Sequence, residues 1–298
     1  MRLLVLGANG QVGHELRRAL VPLGEIVCTT RSGVLGDGTT CETADFNDPA
    51  SLPALVARIA PDIVVNAAAY TAVDRAESDR DAAFRANAAA PGELARACAA
   101  RDALLVHYST DYVFDGTATR PYREDDPTSP LGVYGESKLA GEQAVQASGA
   151  RHMIFRTAWV YADRGRNFML TMLRLAGERD ELRVVADQVG TPTPAALIAD
   201  TTAAILARPF AASGLWHLTA QGQATWHGFA EAIVERAHAL GRIDRRPRIV
   251  AISTDEFPTP ARRPAWSRLD CSRLEHEFGI DLPDWRAGLD RVLAPVRA

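Results

Sequence analysis

Residues 3–20 read LLVLGANGQVGHELRRAL, and most of the predicted architecture follows from this segment. Its apolar run 3–6 is a strand by composition and leads directly into a turn with glycine at Gly7, Gly10 and Gly13, after which a helix-forming sequence begins. In such a setting Gly7 permits the tight turn, Gly10 lets the backbone approach a pyrophosphate, and Gly13 lets the helix pack on the strand. The GxxGxxG spacing therefore predicts a dinucleotide site, and a plain strand-to-helix turn is the alternative.

Strands and helices alternate along the first half of the chain. Near-continuous apolar strands such as 63–65 and 104–106 favour a parallel sheet that is covered by helices on both faces. The predicted fold class is α/β, a Rossmann-type doubly wound parallel sheet. The further predicted strands are 25–29, 62–66, 104–109 and 152–156, and the predicted helices lie near 49–60, 79–99 and 134–147.

The regular alternation loosens beyond Arg156. Prolines gather there in loop-like segments, at Pro192, Pro194, Pro258, Pro260 and Pro264. We expect residues 1–156 to form an NAD(P)-binding domain, with return segments from about 182–219. Residues 157–298 are expected to form mostly a smaller, loop-rich substrate-binding lobe, which would close a crevice over the carboxyl ends of the strands.

The basic residues are unevenly divided between the two types. Lysine and arginine together number 33, and Lys138 is the only lysine. It lies four residues after Tyr134, and in a helix this spacing places the phenol and the ammonium on one face. A nearby ammonium stabilises a phenolate, so we expect Lys138 to lower the pKa of Tyr134 and to make the phenol a proton donor or acceptor nearer neutral pH. A chance pair on a solvated helix is the alternative.

Two predicted strand ends present further groups to a ligand. Residues 66–74, NAAAYTAVD, carry small side chains that would let a cofactor lie against the backbone. Residues 109–114, STDYVF, place a hydroxyl at the end of the next strand. Hydroxyl, phenol and ammonium together can hydrogen-bond a carbonyl, protonate its oxygen and hold a nicotinamide ribose.

Composition excludes several classes of protein. The net charge is −4 with acids and bases interspersed, so no basic surface for nucleic acid or for a membrane stands out. No apolar stretch approaches the length of a membrane span, and the first is too short for a signal peptide. The four cysteines have no CxxC spacing, which favours reduced thiols over a zinc site. We expect a cytoplasmic protein.

The glycine turn, the strand-end STD and the YxxxK pair together resemble an extended short-chain dehydrogenase/reductase. Longer strings resemble the dTDP-4-dehydrorhamnose reductase family almost from end to end: GQVG-x-EL, NAAAYTAVDRAES, HYSTDYVFDG, YGESKLAGE, FRTAWVYA and PTPARRP-x-x-SRLD. The resemblance implies reduction of a nucleotide-sugar substrate, dTDP-4-dehydro-L-rhamnose, to dTDP-L-rhamnose for cell-surface polysaccharide. It also implies that Tyr134 gives the proton, that Lys138 tunes Tyr134 and binds the ribose, and that Thr110 orients Tyr134 and the carbonyl.

The resemblance also assigns binding residues. Its cofactor contacts carry over to Gly10, Gln11, Val12, Asp45, Phe46, Ala69, Tyr70, Thr71, Tyr108, Tyr134 and Lys138, which join Gly7 and Gly13 of the turn. Its substrate contacts carry over to Val73, Asp74, Thr110, Asp111, Tyr112 and Trp159. We assign Arg262 and Arg263 to the nucleotide diphosphate, because guanidinium groups suit phosphate oxygens. Solvation or an ion pair is the alternative for these two arginines.

Three rival activities differ from simple reduction. Related enzymes that dehydrate dTDP-glucose typically have Asp-Glu after the threonine, and this chain has Asp111-Tyr112, which disfavours dehydration. A sugar-nucleotide epimerase would recycle its cofactor, whereas a reductase consumes it. A non-catalytic NADP-binding regulatory subunit, similar to the beta subunit of methionine adenosyltransferase, is disfavoured because Thr110, Tyr134 and Lys138 are all present.

The end of the second strand bears on the choice of cofactor. An acid there would bind the ribose 2′-hydroxyl and repel a 2′-phosphate. This chain has Thr30 where some relatives have aspartate, followed by Arg31 and Ser32, which can bind a 2′-phosphate. We therefore expect NADPH, with NADH left open and a solvated Arg31 as the alternative.

The sequence also bears on metal binding. Some members of the family are described as needing a divalent ion, and Glu15 fits the family string. The neighbourhood 192–196 lacks an acid that relatives can carry there, so we expect no built-in metal site. The oligomeric state stays open, a homodimer included.

Overall fold

The computed structural model describes residues 1–208 and 213–294. Its strands are β1 Arg2–Leu6, β2 Glu25–Thr30, β3 Glu42–Thr43, β4 Ile63–Asn66, β5 Leu104–Thr110, β6 His152–Thr157, β7 Val160–Tyr161, β8 Glu181–Val185, β9 Val189–Gly190, β10 Thr193–Pro194, β11 Gly214–His217, β12 Ala224–Thr225 and β13 Arg248–Ile252. Its α-helices are α1 Gln11–Ala19, α2 Leu52–Ile59, α3 Val73–Ala76, α4 Arg80–Phe84, α5 Ala90–Ala99, α6 Val133–Gln146, α7 Phe168–Glu178, α8 Ala195–Leu206, α9 Trp226–Ala239, α10 Ser272–Phe278 and α11 Trp285–Leu293. A π-turn, Arg85–Ala89, joins α4 to α5.

Seven strands form one parallel sheet in the order β11-β6-β5-β4-β1-β2-β3. The chain runs outward from β1 to β3, returns to place β4 on the other side of β1, and continues to β6 and β11. A reversal of this kind leaves a crevice beyond the carboxyl ends of the strands, here at β1 and β4. The predicted α/β class with a doubly wound parallel sheet is confirmed.

Both faces of the sheet are buried, which explains the continuous apolar strands. In β1, Leu3 and Val5 belong to a core on one face of the sheet, and Leu4 and Leu6 belong to a core on the other. All four side chains are fully buried, and each such burial stabilises the fold by roughly 1.5–3 kcal/mol. Helices α1 and α8 contribute to the first core, and α2 and α5 to the second.

The elements predicted for the first half are present. Each predicted strand agrees with the structure to within one residue, and α6 begins at Val133, one residue before the predicted position. The helix predicted near 79–99 is made of α4, the π-turn and α5 in succession. The π-turn is the feature that the sequence pattern did not predict, and it matters for the site.

The second half is more helical than predicted. Helices α7 and α9 have 11 and 14 residues in the lobe that we expected to be loop-rich, and α8 has 12 residues in the predicted return segment. The prolines lie outside the helices, as predicted: Pro192 and Pro194 precede α8, where they interrupt no helical hydrogen bond, and Pro258, Pro260 and Pro264 lie in a long loop.

Parts of this half return to the main sheet. β11 is its edge strand and α8 packs in its core, whereas β8 pairs with β13 outside it. The domain boundary at 156 stays a prediction. Of the predicted domains, residues 209–212 and 295–298 lie outside the described residues. Within the described ranges no helix combines the length and apolarity needed to span a membrane.

Candidate active site

The glycine-rich turn has the geometry that its sequence predicts. Gly7 has a φ of +78°, which favours glycine, and a Cβ added there would lie 2.8 Å from the backbone of Ala68. A Cβ on Gly13 would lie 2.1 Å from the carbonyl oxygen of Gly7. Gly10 caps α1 without a side-chain cap, and the first turn of α1 has no acidic residue. The N–H groups of this helix end are therefore suited to an anion.

A cavity of about 500 Å³ opens beside this turn. It is lined by twelve of the predicted cofactor residues: Gly7, Gly10, Gln11, Val12, Arg31, Phe46, Ala69, Tyr70, Thr71, Tyr108, Tyr134 and Lys138. Gly13 is not among the lining residues, because it packs inside the turn. Asp45 is not among them either, because its carboxylate accepts the backbone N–H of Asn47 at 2.9 Å and caps a turn. Direct contacts of these residues with a cofactor stay predictions.

The predicted set omitted other lining residues: Asn9, Thr30, Ala44, Asn47, Ala67, Ala68, Ala86, Ser109, Thr157, Val160, Gly165 and Arg166. The side-chain hydroxyls of Ser109 and Thr157 are buried and have no hydrogen-bond partner among the described residues. Buried polar groups are normally satisfied, so these two hydroxyls indicate that a ligand or water bonds them. The glycine cradle, the cavity and the two hydroxyls fit a dinucleotide.

Two of the three predicted catalytic residues line the cavity, and the third lies next to it. Tyr134 and Lys138 lie on α6 and line the cavity, and Thr110 ends β5 next to the lining residue Ser109. Lys138 is only 2% exposed, and its Nζ donates to the carbonyl oxygen of Tyr108 at 2.6 Å. The Thr110 hydroxyl donates to Oδ1 of Asp111 at 3.0 Å.

Burial sets the protonation of these groups. It raises the pKa of Tyr134 to about 12, and the nearby Thr110 hydroxyl opposes that rise. It lowers the pKa of Lys138 to about 8, against the charge of Glu142, and raises the pKa of Asp111 to about 6. The expectation that the pKa of Tyr134 is lowered is wrong here, because the cost of desolvating the phenolate outweighs the other effects. Tyr134 is therefore protonated at neutral pH and suited to donate a proton.

Asn87, in the π-turn, connects the cofactor loop to α6. It is fully buried; its Oδ1 accepts the N–H of Tyr70 at 2.8 Å, and its Nδ2 donates to the carbonyl oxygen of Tyr70 and to Oγ of Ser137, both at 3.0 Å. Ser137 in turn donates to the carbonyl oxygen of Tyr134 at 2.8 Å. Sequence reasoning missed Asn87, because one asparagine in an alanine-rich helical pattern gives no signal.

A buried ion pair lies one helical turn beyond Lys138. Arg156 donates through Nε and Nη2 to Glu142 at 2.9 and 2.7 Å, and the two side chains are 4% and 2% exposed. The Arg156 guanidinium also lies 5.1 Å from the ring centroid of Phe114. Because Arg156 compensates the charge of Glu142, Glu142 offsets only part of the decrease that burial causes in the pKa of Lys138. The pair was not predicted from the sequence.

Three predicted substrate residues lie together beside Tyr134. Arg263 donates to both carboxylate oxygens of Asp74, at 3.0 and 2.8 Å, so it adopts the ion-paired alternative named for it. Its guanidinium lowers the pKa of Asp74 and lies close to Tyr112. The Tyr112 ring meets the Tyr134 ring edge-on, with centroids 5.5 Å apart. To bind a phosphate, the Arg263 guanidinium would therefore have to share its N–H groups between the phosphate and Asp74, or give up its hydrogen bonds to Asp74.

The other predicted substrate residues are more dispersed. Trp159 has a φ of +47°, and its indole stacks on Trp226 with ring centroids 3.5 Å apart. It also packs against Gly190, where an added Cβ would lie 2.4 Å from the indole. Val73 begins α3, and Arg262 is exposed. The substrate contacts of all these residues stay predictions.

Metal ligands do not converge in the part of the chain that the structure describes. No group of three or more His, Cys, Asp or Glu side chains there could hold a metal ion. Glu15 makes a 3.5 Å ion pair with Arg18. The absence of a built-in metal site stays a prediction.

Comparison with known proteins agrees with the site. The family described as RmlD substrate binding domain matches residues 1–298, and a dTDP-4-dehydrorhamnose reductase of Burkholderia thailandensis is 52% identical over 96% of each chain. The chain belongs to the dTDP-4-dehydrorhamnose reductase family. Among solved members of this family, the reductase of Clostridium acetobutylicum gives a TM-score of 0.88 at 36% identity, covering 98% of each chain. The reductase of Bacillus anthracis, in complex with NADP, gives 0.88 at 34% identity over the same share.

Membership of the dTDP-4-dehydrorhamnose reductase family confirms the resemblance that the motifs indicate. Relatives at 46–52% identity are named dTDP-4-dehydrorhamnose reductase, so the chain is an enzyme, which agrees with a cavity lined by a buried lysine and a protonated tyrosine. The fold is also shared by solved sugar-nucleotide enzymes at about 20% identity, with TM-scores near 0.81. A UDP-glucose 4-epimerase of Thermus thermophilus is one of them, and this likeness is one of fold alone.

Proposed function

We propose that the protein reduces the 4-keto group of dTDP-4-dehydro-L-rhamnose to dTDP-L-rhamnose with NADPH, for cell-surface polysaccharide. The observation that carries the proposal is that Tyr134 and Lys138 line the same cavity as the glycine-rich turn. The reductase of B. thailandensis, at 52% identity, supports the choice of substrate. The NADP complex of the B. anthracis relative supports the choice of cofactor.

The chain supplies the proton, and the bound nicotinamide supplies the hydride. The pKa of Tyr134, about 12, keeps its phenol protonated at neutral pH, and a developing alkoxide on the sugar would take this proton. The Thr110 hydroxyl would turn from Asp111 to the same oxygen and stabilise its charge. Deprotonation of Tyr134 then completes the reduction without any further acid.

Lys138 holds the ribose and stabilises the tyrosinate that the reaction leaves. Its Nζ is fixed at the Tyr108 carbonyl oxygen, and the remaining N–H bonds can bind ribose hydroxyls on the cavity wall. At neutral pH a pKa of about 8 leaves the ammonium mostly charged. Its positive charge favours proton release from Tyr134.

The cofactor preference follows from the end of β2. Arg31 is exposed, lines both the cavity and the open recess that adjoins it, and stands beside Thr30 and Ser32. No carboxylate is among the residues that line this recess, so nothing there repels a 2′-phosphate. The proposal is therefore NADPH, with NADH as a weaker substitute.

The predictions on organisation enter the proposal as well. Residues 1–156 would bind the cofactor, with return segments from about 182–219, and 157–298 would mostly bind the sugar nucleotide. The protein would work in the cytoplasm, where nucleotide sugars are made. A homodimer stays open.

Turnover by the isolated protein tests the proposed activity. The assay follows the loss of NADPH absorbance with dTDP-4-dehydro-L-rhamnose as the substrate. GDP- and UDP-linked keto sugars are then tested in its place. Stoichiometric NADPH oxidation with the dTDP sugar is the expected result. An epimerase would change the sugar without net oxidation, and a regulatory subunit would bind NADPH without turnover, so either outcome rejects the proposal.

A further inference from the structure

The segment 162–167, ADRGRN, connects β7 to α7 and crosses the glycine-rich turn; we call it the strap. Asn167 fixes it there. Its Nδ2 donates to the side-chain oxygen of Gln11 at 2.8 Å and to the carbonyl oxygens of Ala162 and Arg164 at 2.8 and 3.1 Å. Its Oδ1 accepts the N–H of Leu170 at 3.0 Å and caps α7. One side chain thus joins the N-termini of α1 and α7.

The backbone of the strap passes close to the first residue of α1. Gly165 has a φ of +74°, and a Cβ added there would lie 3.3 Å from Cγ of Gln11. Gln11 opens α1, whose first N–H groups have no side-chain cap. In a strand, glycine turn and helix of this kind, the pyrophosphate of a dinucleotide lies at this helix end.

Arg166 comes from the strap into the same cavity. It lines the cavity together with Gly10, Gln11 and Gly165. Arg166 is exposed, and within residues 1–208 and 213–294 its guanidinium has no hydrogen bond or ion pair. The neighbouring Arg164 differs, since it pairs with Asp163 at 3.1 Å and is not among the lining residues. A guanidinium without a carboxylate partner, beside a helix end suited to an anion, is placed for a phosphate.

We propose that Arg166 binds the pyrophosphate of the dinucleotide cofactor and that the Asn167–Gln11 hydrogen bond holds the strap over it. This inference rests on the proposed function, because it takes NADPH as the ligand. The cofactor is then held by two arginines with separate tasks. Arg31 contacts the 2′-phosphate from the end of β2, and Arg166 contacts the pyrophosphate from the strap.

Direct binding measurements separate the two arginines. Arg166→Ala, Arg31→Ala and the matched control Arg164→Ala are titrated, without sugar nucleotide, with NADPH, NADH and adenosine 2′-monophosphate, which has no pyrophosphate. We expect Arg166→Ala to weaken NADPH and NADH by the same factor, about tenfold, and to leave adenosine 2′-monophosphate unchanged. Arg31→Ala should weaken NADPH and adenosine 2′-monophosphate only, and Arg164→Ala should bind all three like wild type.

Two further variants test the strap. Gln11→Ala removes the acceptor of the Asn167 bond but keeps the cap of α7, and it should weaken both dinucleotides less than Arg166→Ala does. Arg166→Lys should recover part of the loss, because an ammonium still attracts phosphate. Circular dichroism of each variant shows whether it folds.

Three results would overturn the inference. Unchanged Kd values for both dinucleotides would remove Arg166 from the cofactor site. A loss confined to NADPH would place Arg166 at the 2′-phosphate. Unchanged cofactor binding with a raised KM for the sugar nucleotide would place it at the diphosphate of the substrate. Because the titrations need no turnover, their results can be interpreted even if the protein does not reduce the proposed substrate.

Discussion

We expect the proton transfer to depend on Tyr134. Its phenol stays protonated at neutral pH, and the Thr110 hydroxyl near it donates to the carboxylate of Asp111. Tyr134→Phe removes the proton donor with little change of shape. We expect turnover to fall by about 10²–10⁴-fold with NADPH binding retained, and Thr110→Val to fall less. Steady-state kinetics with a separate cofactor titration measures both.

The contrary result for Tyr134 would have a definite meaning. If Tyr134→Phe turned over at the rate of wild type, the proton would have to come from elsewhere. Asp111 would be first in line, since burial raises its pKa to about 6. Tyr112→Phe is the matched control, because its ring meets that of Tyr134 but its hydroxyl has no assigned part in proton transfer.

We expect Arg31 to determine the preference between the two cofactors. Arg31→Ala should lower kcat/KM for NADPH by about tenfold and leave that for NADH nearly unchanged, because only NADPH has a phosphate for the guanidinium to bind. Arg31→Asp should shift the preference further, since a carboxylate repels the 2′-phosphate and can bind the 2′-hydroxyl. Equal use of NADH and NADPH by wild type would show that Arg31 is only solvated.

At the residue scale, the candidate catalytic residues were easier to predict from the sequence than their pKa values. A single lysine four residues after a tyrosine is visible in the sequence, and the structure places both on the cavity wall. The predicted direction of the Tyr134 pKa is wrong, because the pKa depends mainly on how deeply the phenol is buried. Burial of that kind comes from tertiary packing and has no local sequence signal.

At the scale of elements, the π-turn between α4 and α5 is the least expected feature. It widens the helix by one residue and turns Asn87 toward Tyr70 and Ser137. Gly141 of α6 permits this contact, since a Cβ there would lie 2.0 Å from the carbonyl oxygen of Asn87. Strand and helix patterns predicted the surrounding elements, but the π-turn is set by contacts between two helices and a loop.

Asn87→Ala tests this element. The variant leaves the backbone N–H and carbonyl of Tyr70 without their side-chain partner, which should cost about 1–3 kcal/mol of stability for each group that stays unpaired. The Ser137 hydroxyl loses one donor but still donates to Tyr134. Because Tyr70 lines the cavity, KM for NADPH should rise more than kcat falls. Asn47→Ala is the control, since Asn47 lines the cavity and is exposed. A variant with lower stability but unchanged KM would reduce Asn87 to a structural role.

At the scale of the whole molecule, buried charge collects at the carboxyl ends of the strands. Lys138, Asp111 and the Glu142–Arg156 pair are all nearly inaccessible to solvent, next to a sheet whose two faces are covered by apolar cores. The sequence predicted the sheet, since its strands repeat one apolar pattern. The predicted return segment 182–219 contains β11, which pairs with β6 in the main sheet. The strap was beyond the sequence pattern, because the Asn167–Gln11 hydrogen bond joins residues 156 positions apart.

The buried ammonium should make stability depend on pH. The pKa of Lys138 is about 8 in the folded protein against an ordinary 10.5, so the unfolded chain binds this proton more tightly. The folded state is therefore disfavoured most below pH 8, and the cost declines as pH rises from about 8 toward 10.5. Lys138→Met has no such proton. We expect Lys138→Met to have a larger free energy of unfolding than wild type at pH 7. This difference between the two proteins should become smaller by about 2 kcal/mol at pH 9.5.

Urea unfolding of both proteins at the two pH values, without cofactor, measures this change. Lys138→Arg is the matched control, because its guanidinium stays charged throughout and its difference from Lys138→Met should not vary with pH. Both variants should lose most turnover, Lys138→Arg because its larger fork misplaces the ribose contacts and tunes Tyr134 poorly. A gap between Lys138→Met and wild type that is the same at both pH values would mean that the ammonium is solvated in the folded protein. Near-wild-type turnover by Lys138→Arg would remove Lys138 from the catalytic set, whatever its effect on stability.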